Sequence, residues 1–364
     1  MPTPVALETV RSIATAHDEL LPTPSAAPLQ TAMPAAVTPT ILSASPATAT
    51  TAATQTSQPV IAVTRVAKCC GVFGWIDAQH LLVFDTPAQG QTGASVVDVK
   101  TGSRQFVSAN FGIPSPSGLI AFPDRSAGRT EIRRSDGSVV STISNGGVLT
   151  WISRDGQHVA WLEDLSVTQV SSLVPRTVRF WSAGIDGSHA KLLLEFDASA
   201  LQWLPDNQHV VALGRTPDGR QPGIWLVDTV TGTNGVAVAG TFLQALRLSP
   251  NASRMAYLET FSGSISQDGV WIANTNGTDK IHLREAGSFR WGGDSSYLWF
   301  LDLAPRDGGN DTLVEVDVSD DAVVGRIDLG GRVLNDQWDV SPDGSAVAYW
   351  SEADQTVVVK ALTR

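Results

Sequence analysis

Three histidines recur at one position of an internal repeat, and histidine is a common metal ligand. His80, His158 and His209 each stand three residues after an aspartate in a short turn-like segment. Equivalent positions of repeats arranged around a ring lie far apart, so these imidazoles are not expected to converge on one ion. The sequence contains no His-Glu-x-x-His, Cys-x-x-Cys, phosphate-binding glycine loop or Gly-x-Ser-x-Gly signature. We therefore predict no metal, no cofactor and no catalytic residue.

A second recurring position carries carboxylates and lies about eight residues beyond the same repeated aspartate. The residues at or beside it, here called the acidic rim, are Asp85, Asp124, Glu163, Arg215, Glu259, Asp302 and Glu352. In a ring of repeats they would surround one mouth and concentrate negative potential there. The rim is predicted to bind a basic segment of a protein or peptide, or a cation. The alternative is that these residues are solvated strand ends.

The element that positions these residues is a repeat with a period of about 44 residues. Each copy has an anchor residue, preceded by an apolar or tryptophan-containing stretch and followed by an apolar run such as Val159–Leu162. The anchors are Asp77, Ser117, Asp155, Asp206, Asn251, Asp294 and Asp343. Each copy predicts four short strands joined by tight turns, which is the content of one propeller blade.

Seven copies predict an all-β fold with a seven-bladed β-propeller, because a lone blade cannot bury its apolar faces. Six blades with an irregular segment are the alternative. The last copy is one strand short, and the run at 59–64 could supply its outer strand and remove an exposed edge. Tryptophans are predicted to pack the blades in first strands (Trp75, Trp151, Trp203, Trp291, Trp338) and in third strands (Trp181, Trp225, Trp271).

The recurring tryptophan, Ser-x-Asp-Gly turn and apolar strand, best seen at 151–161 and 338–349, resemble the WD40-like, TolB-type β-propeller repeat. The resemblance covers the repeats and not the segment before them. It implies an architecture, whereas such propellers serve as scaffolds, receptors and accessory domains of peptidases.

The N-terminal segment has a different composition. From Leu20 to Thr64 there is no Asp, Glu, Lys or Arg, and Ala, Thr, Pro and Ser predominate. Prolines interrupt helices, and so few large apolar side chains cannot form a core. We predict a disordered tail at 1–58 and a propeller at 59–364. Such stalks often precede exported domains, which predicts a cell-envelope or extracellular location, with a cytoplasmic location as the alternative.

Composition excludes several classes of protein. The 364 residues carry 36 Asp and Glu against 25 Lys and Arg, a net charge of -11, which disfavours nucleic-acid binding. No apolar run is long enough for a transmembrane helix. The adjacent Cys69 and Cys70 cannot form a disulfide scaffold.

We predict a non-catalytic binding or scaffolding module that is monomeric and has a protein or peptide partner. The alternatives are a lyase or carbohydrate-processing enzyme that uses the central funnel, and a sensor domain of a larger system. An enzyme would be marked by titratable groups that converge on the funnel with displaced pKa values.

Overall fold

Short β-strands joined by tight turns form the described part of the chain. The computed structural model describes residues 64–68, 73–85, 93–164, 178–216, 222–303 and 308–362, all within the unit Gln58–Arg364. The predicted tail at 1–58 and the pair Cys69 and Cys70 lie outside these residues. Among the described residues no helix is long and apolar enough to span a membrane.

The strands are β1 (Thr64–Lys68), β2 (Phe73–Trp75), β3 (His80–Asp85), β4 (Gly93–Asp98), β5 (Arg104–Ser108), β6 (Ile113–Pro114), β7 (Ile120–Asp124), β8 (Arg129–Arg133), β9 (Val139–Ile143), β10 (Thr150–Ile152), β11 (His158–Asp164), β12 (Val178–Gly184), β13 (Lys191–Trp203), β14 (His209–Arg215), β15 (Pro222–Asp228), β16 (Asn234–Ala239), β17 (Leu243–Leu248), β18 (Arg254–Glu259), β19 (Gly269–Asn274), β20 (Ile281–His282), β21 (Phe289–Trp291), β22 (Tyr297–Asp302), β23 (Thr312–Asp317), β24 (Ala322–Asp328), β25 (Val333–Val340), β26 (Ala346–Ser351) and β27 (Thr356–Ala361).

These strands form seven antiparallel blades, which confirms the seven-bladed propeller and excludes the six-bladed alternative. Blades 1 and 2 are β2–β5 and β6–β9, and blades 5 and 6 are β17–β20 and β21–β24. Blades 3 and 4 share one seven-stranded sheet, β10–β16. The 13-residue strand β13 is the outermost strand of blade 3 and continues as the innermost strand of blade 4.

Blade 7 is completed by a strand from the other end of the chain. It contains β25, β26 and β27, and β1 pairs with β27 from Thr64 opposite Val359 to Lys68 opposite Thr356, with a register shift between Arg65 and Ala67. The outer strand is therefore Thr64–Lys68. Of the run at 59–64, only Thr64 belongs to the described residues.

The anchor residues organise the turn between the first and second strands of their blades. The Oδ1 atom of Asp206 accepts backbone hydrogen bonds from Gln208 and His209, at 3.0 and 2.9 Å. This is the Asx-turn geometry that favours Asp at such a position. In blade 7 the anchor is followed by Gly344 at a φ of +71°, and a Cβ there would meet the nitrogen of Gly293 in blade 6 at 2.7 Å. Glycine is therefore required for this turn to approach its neighbour.

Tryptophans pack where neighbouring blades meet. Trp75, Trp203, Trp291 and Trp338 are buried, which confirms their predicted role in the core. Trp338 packs with Trp299 of blade 6 and with the strands of blade 7 in one apolar cluster. Because each blade shares such clusters with its neighbours, the ring buries apolar faces that a single blade would expose.

Candidate active site

The acidic rim lies at the ends of the second strands, as the repeat predicted. Asp85, Asp124, Arg215, Glu259 and Asp302 are the last residues of β3, β7, β14, β18 and β22. Glu163 is the penultimate residue of β11, and Glu352 directly follows β26.

Several rim carboxylates interact with side chains beside them. The indole of Trp181 donates to Oε2 of Glu163 at 2.9 Å. The Ser126 hydroxyl donates to Asp124 at 2.6 Å, and this bond is the main cause that lowers the pKa of the Asp124 carboxyl. Arg326 Nη1 lies 3.3 Å from Oδ2 of Asp302. Binding of a basic partner by the rim stays a prediction.

The repeated histidines are held by their own turns. The Nδ1 atoms of His80 and His209 lie 2.8 and 2.7 Å from the carboxylates of Asp77 and Asp206. The ring of His158 lies 6.4 Å from that of Trp203. These contacts give the histidines a local structural role.

A cavity of about 1100 Å³ occupies the centre of the ring. First strands and first turns of all seven blades line it, from Gly74–Ala78 in blade 1 to Asp339–Asp343 in blade 7. None of the seven rim residues is among the described residues that border it. The rim and the cavity are therefore separate features.

One residue of each blade forms a ring around this cavity, here called the inner ring. It lies four residues before the anchor, or three in blade 1. Its members in blade order are Gly74, Ile113, Trp151, Gln202, Arg247, Arg290 and Asp339. The chemistry of the ring changes around its circumference. The inner-ring residues are apolar in blades 1 to 3 and an amide in blade 4. They are guanidinium groups in blades 5 and 6 and a carboxylate in blade 7.

Indole groups fix the backbone of three inner-ring residues. In each case the indole N–H of a first-strand tryptophan donates to the inner-ring carbonyl of the preceding blade. The pairs are Trp75 to Asp339 at 3.2 Å, Trp203 to Trp151 at 3.1 Å and Trp291 to Arg247 at 3.0 Å. These bonds join blades 7 and 1, 3 and 4, and 5 and 6, so the tryptophans that fill the core also hold the cavity wall.

Arg290 is firmly held beside the carboxylate of Asp339. Its Nε atom lies 3.5 Å from Oδ1 of Asp339, and its Nη1 donates to the carbonyl of Phe289 at 2.8 Å. Its guanidinium also lies 4.9 Å from the ring centroid of Trp338. These contacts fix both members of the pair before any ligand binds.

The carboxyl of Asp339 has a displaced pKa. Burial deep in the molecule raises this pKa, and the nearby positive charges of Arg290 and Arg247 oppose the rise. The side chain nevertheless keeps 38% of its surface exposed, because it borders the cavity. Desolvation outweighs the attraction of the two arginines, which leaves a carboxylate more basic than an ordinary aspartate.

A third cation reaches the cavity from the first turn of blade 3. Nη1 of Arg154 donates to the carbonyl of Pro250 in blade 5 at 2.8 Å, and burial lowers the pKa of its guanidinium. The group remains charged at neutral pH, because an arginine is not deprotonated in a protein. Three guanidinium groups and a displaced carboxyl therefore share one cavity.

Comparison with known proteins yields no match to a family model and no match to a curated protein. Among solved structures, oligogalacturonate lyase from Vibrio parahaemolyticus has a TM-score of 0.61 at 12% identity, covering 84% of this chain and 92% of that one. An oligogalacturonate lyase in complex with manganese gives 0.59 at 13% identity, covering 83% and 90%. A β-propeller domain from Myceliophteria thermophila gives 0.50 at 10% identity, covering 83% and 100%.

The prediction of a non-catalytic binding or scaffolding module is wrong. Two of the structures that the chain resembles are lyases, which favours the alternative of an enzyme that uses the central funnel. At these identities the comparisons concern the fold. They confirm the predicted resemblance to a WD40-like β-propeller at that level.

Proposed function

We propose that the chain is a lyase that cleaves a short acidic oligosaccharide inside the central cavity. The observation that carries the proposal is the convergence of Arg154, Arg247, Arg290 and Asp339 on this cavity. Guanidinium groups bind carboxylates in a two-point geometry, and a uronic acid carries one carboxylate on each sugar. The apolar sector formed by Ile113 and Trp151 offers a surface for the less polar face of a sugar ring.

The proposed reaction is a β-elimination. A guanidinium group neutralises the substrate carboxylate and so stabilises negative charge that develops on the adjacent carbon, C5. The carboxylate of Asp339 takes the proton from C5, and the released electron pair forms the C4=C5 double bond. The bond from C4 to the glycosidic oxygen breaks, and the departing oxygen takes a proton from water.

Asp339 suits the role of base because of its surroundings. Its pKa is raised by burial, so its ionised form binds a proton more readily than an ordinary aspartate does. Arg290 at 3.5 Å restricts the carboxylate to one side of the cavity. Basicity and fixed position are the two properties that proton abstraction requires.

The similar structures support the substrate class. Both lyases are named for oligogalacturonate, a chain of uronic acids. The manganese in one of them does not fit the cavity described here. No described group of three His, Cys, Asp or Glu residues could hold a metal, and two of the carboxylates bordering the cavity, Asp77 and Asp343, accept hydrogen bonds in their own turns. No step of the proposed reaction uses a metal.

The test is to mix the full chain with oligogalacturonate and follow the ultraviolet absorbance of the conjugated C4=C5 bond. We expect Asp339→Asn to lower the rate by about 10²- to 10⁴-fold, the usual contribution of a general base. Asp302→Asn on the acidic rim is the matched control and should leave the rate unchanged. Absence of the double bond with oligogalacturonate, or a wild-type rate for Asp339→Asn, would refute the proposal.

The composition of the segment from Leu20 to Thr64 supports a cell-envelope or extracellular location, where acidic polysaccharides are encountered. Fractionation of cells that produce the full-length protein, followed by immunodetection, tests this location. Detection in the cytoplasmic fraction alone would contradict it.

A further inference from the structure

We infer that Arg247 selects an anionic ligand for the central cavity and that Gln202 is the residue that positions it. The inference rests on the proposed function for the identity of the substrate, since it concerns recognition in the same cavity. Its basis is the difference between Arg247 and the other two arginines there.

The three arginines differ in how far their donors are already used. Arg154 donates to the carbonyl of Pro250, and Arg290 donates to that of Phe289 and lies beside Asp339. The side chain of Arg247 is exposed, and no hydrogen bond or ion pair joins its guanidinium to another described residue. The charges of Arg247 and Arg290 both act on Asp339, but Arg247 keeps its hydrogen-bond donors available for a ligand, whereas Arg290 uses a donor on Phe289.

A β-bulge precedes Arg247 in the innermost strand of blade 5. Gln244 lies opposite Leu258 and Arg247 opposite Ala256, so β17 contains one residue more than its partner. Within the bulge, Ala245 has a φ of +53°, a conformation uncommon for residues other than glycine. Bulges redirect the side chains that follow them and are frequent beside active sites. Here the bulge sets which way the strand presents Arg247.

Two side chains from neighbouring blades hold the backbone around Arg247. Nε2 of Gln202 donates to the carbonyl of Leu246 at 2.7 Å, and Oε1 of Gln202 accepts from the amide of Leu248 at 2.8 Å. From the other side, the indole of Trp291 donates to the carbonyl of Arg247 at 3.0 Å. Three consecutive residues are thus fixed while the guanidinium stays unengaged.

A side-chain amide is required at position 202, because its NH2 group donates one hydrogen bond and its carbonyl oxygen accepts another. Glutamate would keep the acceptor for Leu248 and lose the donor for Leu246, and methionine would lose both while filling a similar volume. Gln202 is therefore a positioning residue that acts through the backbone of Arg247.

The test measures binding of galacturonate and of galactose, which has no carboxylate, by calorimetric titration. Neither probe has a glycosidic bond to cleave, so binding is separated from turnover. We expect the wild type to prefer galacturonate and Arg247→Gln to lose about tenfold or more in affinity for galacturonate alone, as expected for a lost charged hydrogen bond. Arg247→Lys should keep part of the preference.

Substitution of Gln202 tests the positioning role. We expect Gln202→Met, which removes both hydrogen bonds at a similar volume, to reduce the preference for galacturonate. The matched control is Gln105→Met, since Gln105 also donates to a backbone carbonyl of the next blade, that of Asp136 at 2.8 Å, but is not among the described residues that border the cavity. An equal loss for both sugars in Gln202→Met would indicate a general loosening of the cavity and overturn its positioning role.

The outcomes separate the inference from the proposed function. An unchanged preference in Arg247→Gln, or no preference in the wild type, overturns the inference even if the chain is an active lyase. Binding of galacturonate through Arg247 without formation of a double bond supports the inference and refutes the lyase. Thermal unfolding of each variant confirms that the folded protein is being compared.

Discussion

At the scale of single residues, Asp339 is held in a place where its ionisation is costly. Burial raises the pKa of its carboxyl above the ordinary value of 3.8, and Arg290 and Arg247 reduce that rise. The native state therefore binds this proton more tightly than the unfolded chain does. The stability that the protonated group contributes is lost as the pH rises through the raised pKa. Retaining an ionised base in the cavity thus costs the fold some stability at neutral pH.

The pH dependence of the reaction tests this arrangement. The elimination rate should fall as the pH is lowered through the pKa of Asp339, because the protonated acid cannot take the proton of the substrate. In Arg290→Gln the fall should begin at a higher pH, since Arg290 lowers this pKa. The measurement is the profile of kcat/KM against pH for the wild type and for Arg290→Gln, and the quantity compared is the pH at which each acidic limb falls. Identical acidic limbs would show that Arg290 does not act on the carboxyl.

The inner ring could not be found by searching for residues that recur. Its position is fixed by the repeat, yet its occupants include Gly74, Ile113, Gln202 and Arg290, which share no chemistry. A search for self-similarity selects positions where structure demands one residue type, such as the anchor of each turn. Recognition of one asymmetric ligand demands different residues in different blades. Counting back from each anchor identifies the position, but the sequence gives no reason to examine that offset before the cavity is known.

At the scale of elements, the first turns of blades 3, 5, 6 and 7 combine an Asx turn with a hydrogen bond from a serine hydroxyl to the anchor side chain. In blade 7, Oδ1 of Asp343 accepts from the hydroxyl of Ser341 at 2.7 Å and from the amide of Ser345 at 3.1 Å. Burial raises the pKa of Asp343, but these hydrogen bonds outweigh it and the pKa is lowered. Its contribution to stability is present above the ordinary pKa and is lost as the pH falls through the lowered value. These turns were predictable, because their chemistry is local to a few residues.

Substitution at this turn separates its hydrogen bonds from its charge. Asp343→Ala should lower the free energy of unfolding by about 1 kcal/mol or less, since the turn is largely exposed. Asp343→Asn retains the acceptor and should unfold close to the wild type at neutral pH. Urea denaturation of the three proteins measures the difference. Equal losses for both variants would assign the effect to charge and contradict the turn mechanism.

At the scale of the whole molecule, one short strand closes the ring. β1 covers the edge of β27, so blade 7 joins residues from both ends of the described chain. The sequence predicted that the last repeat lacks a strand, because it contains only three strand-like segments and a blade needs four. It did not place the closing strand at Thr64–Lys68, since strand pairing between distant segments leaves no local signal.

Truncation tests the importance of this closure. Removal of residues 1–63 should leave the urea midpoint unchanged, because β1 is retained. Removal of residues 1–68 should lower the midpoint and promote association of chains, since β27 would become an exposed edge. Denaturation and light scattering measure the two effects. Identical behaviour of the two truncated proteins would show that β1 is dispensable.

The uninterrupted strand β13 couples the local opening of blade 3 to that of blade 4. Elsewhere in the ring, a connecting segment between blades could open and let one blade fray while its neighbour stays intact. Between blades 3 and 4 the same backbone is hydrogen-bonded to β12 along its first half and to β14 along its second. We therefore expect local opening of either blade to disturb the other, so that the two blades open as one cooperative unit. The amide hydrogens of β12 and β14 would then exchange with solvent together, although the two strands belong to different blades.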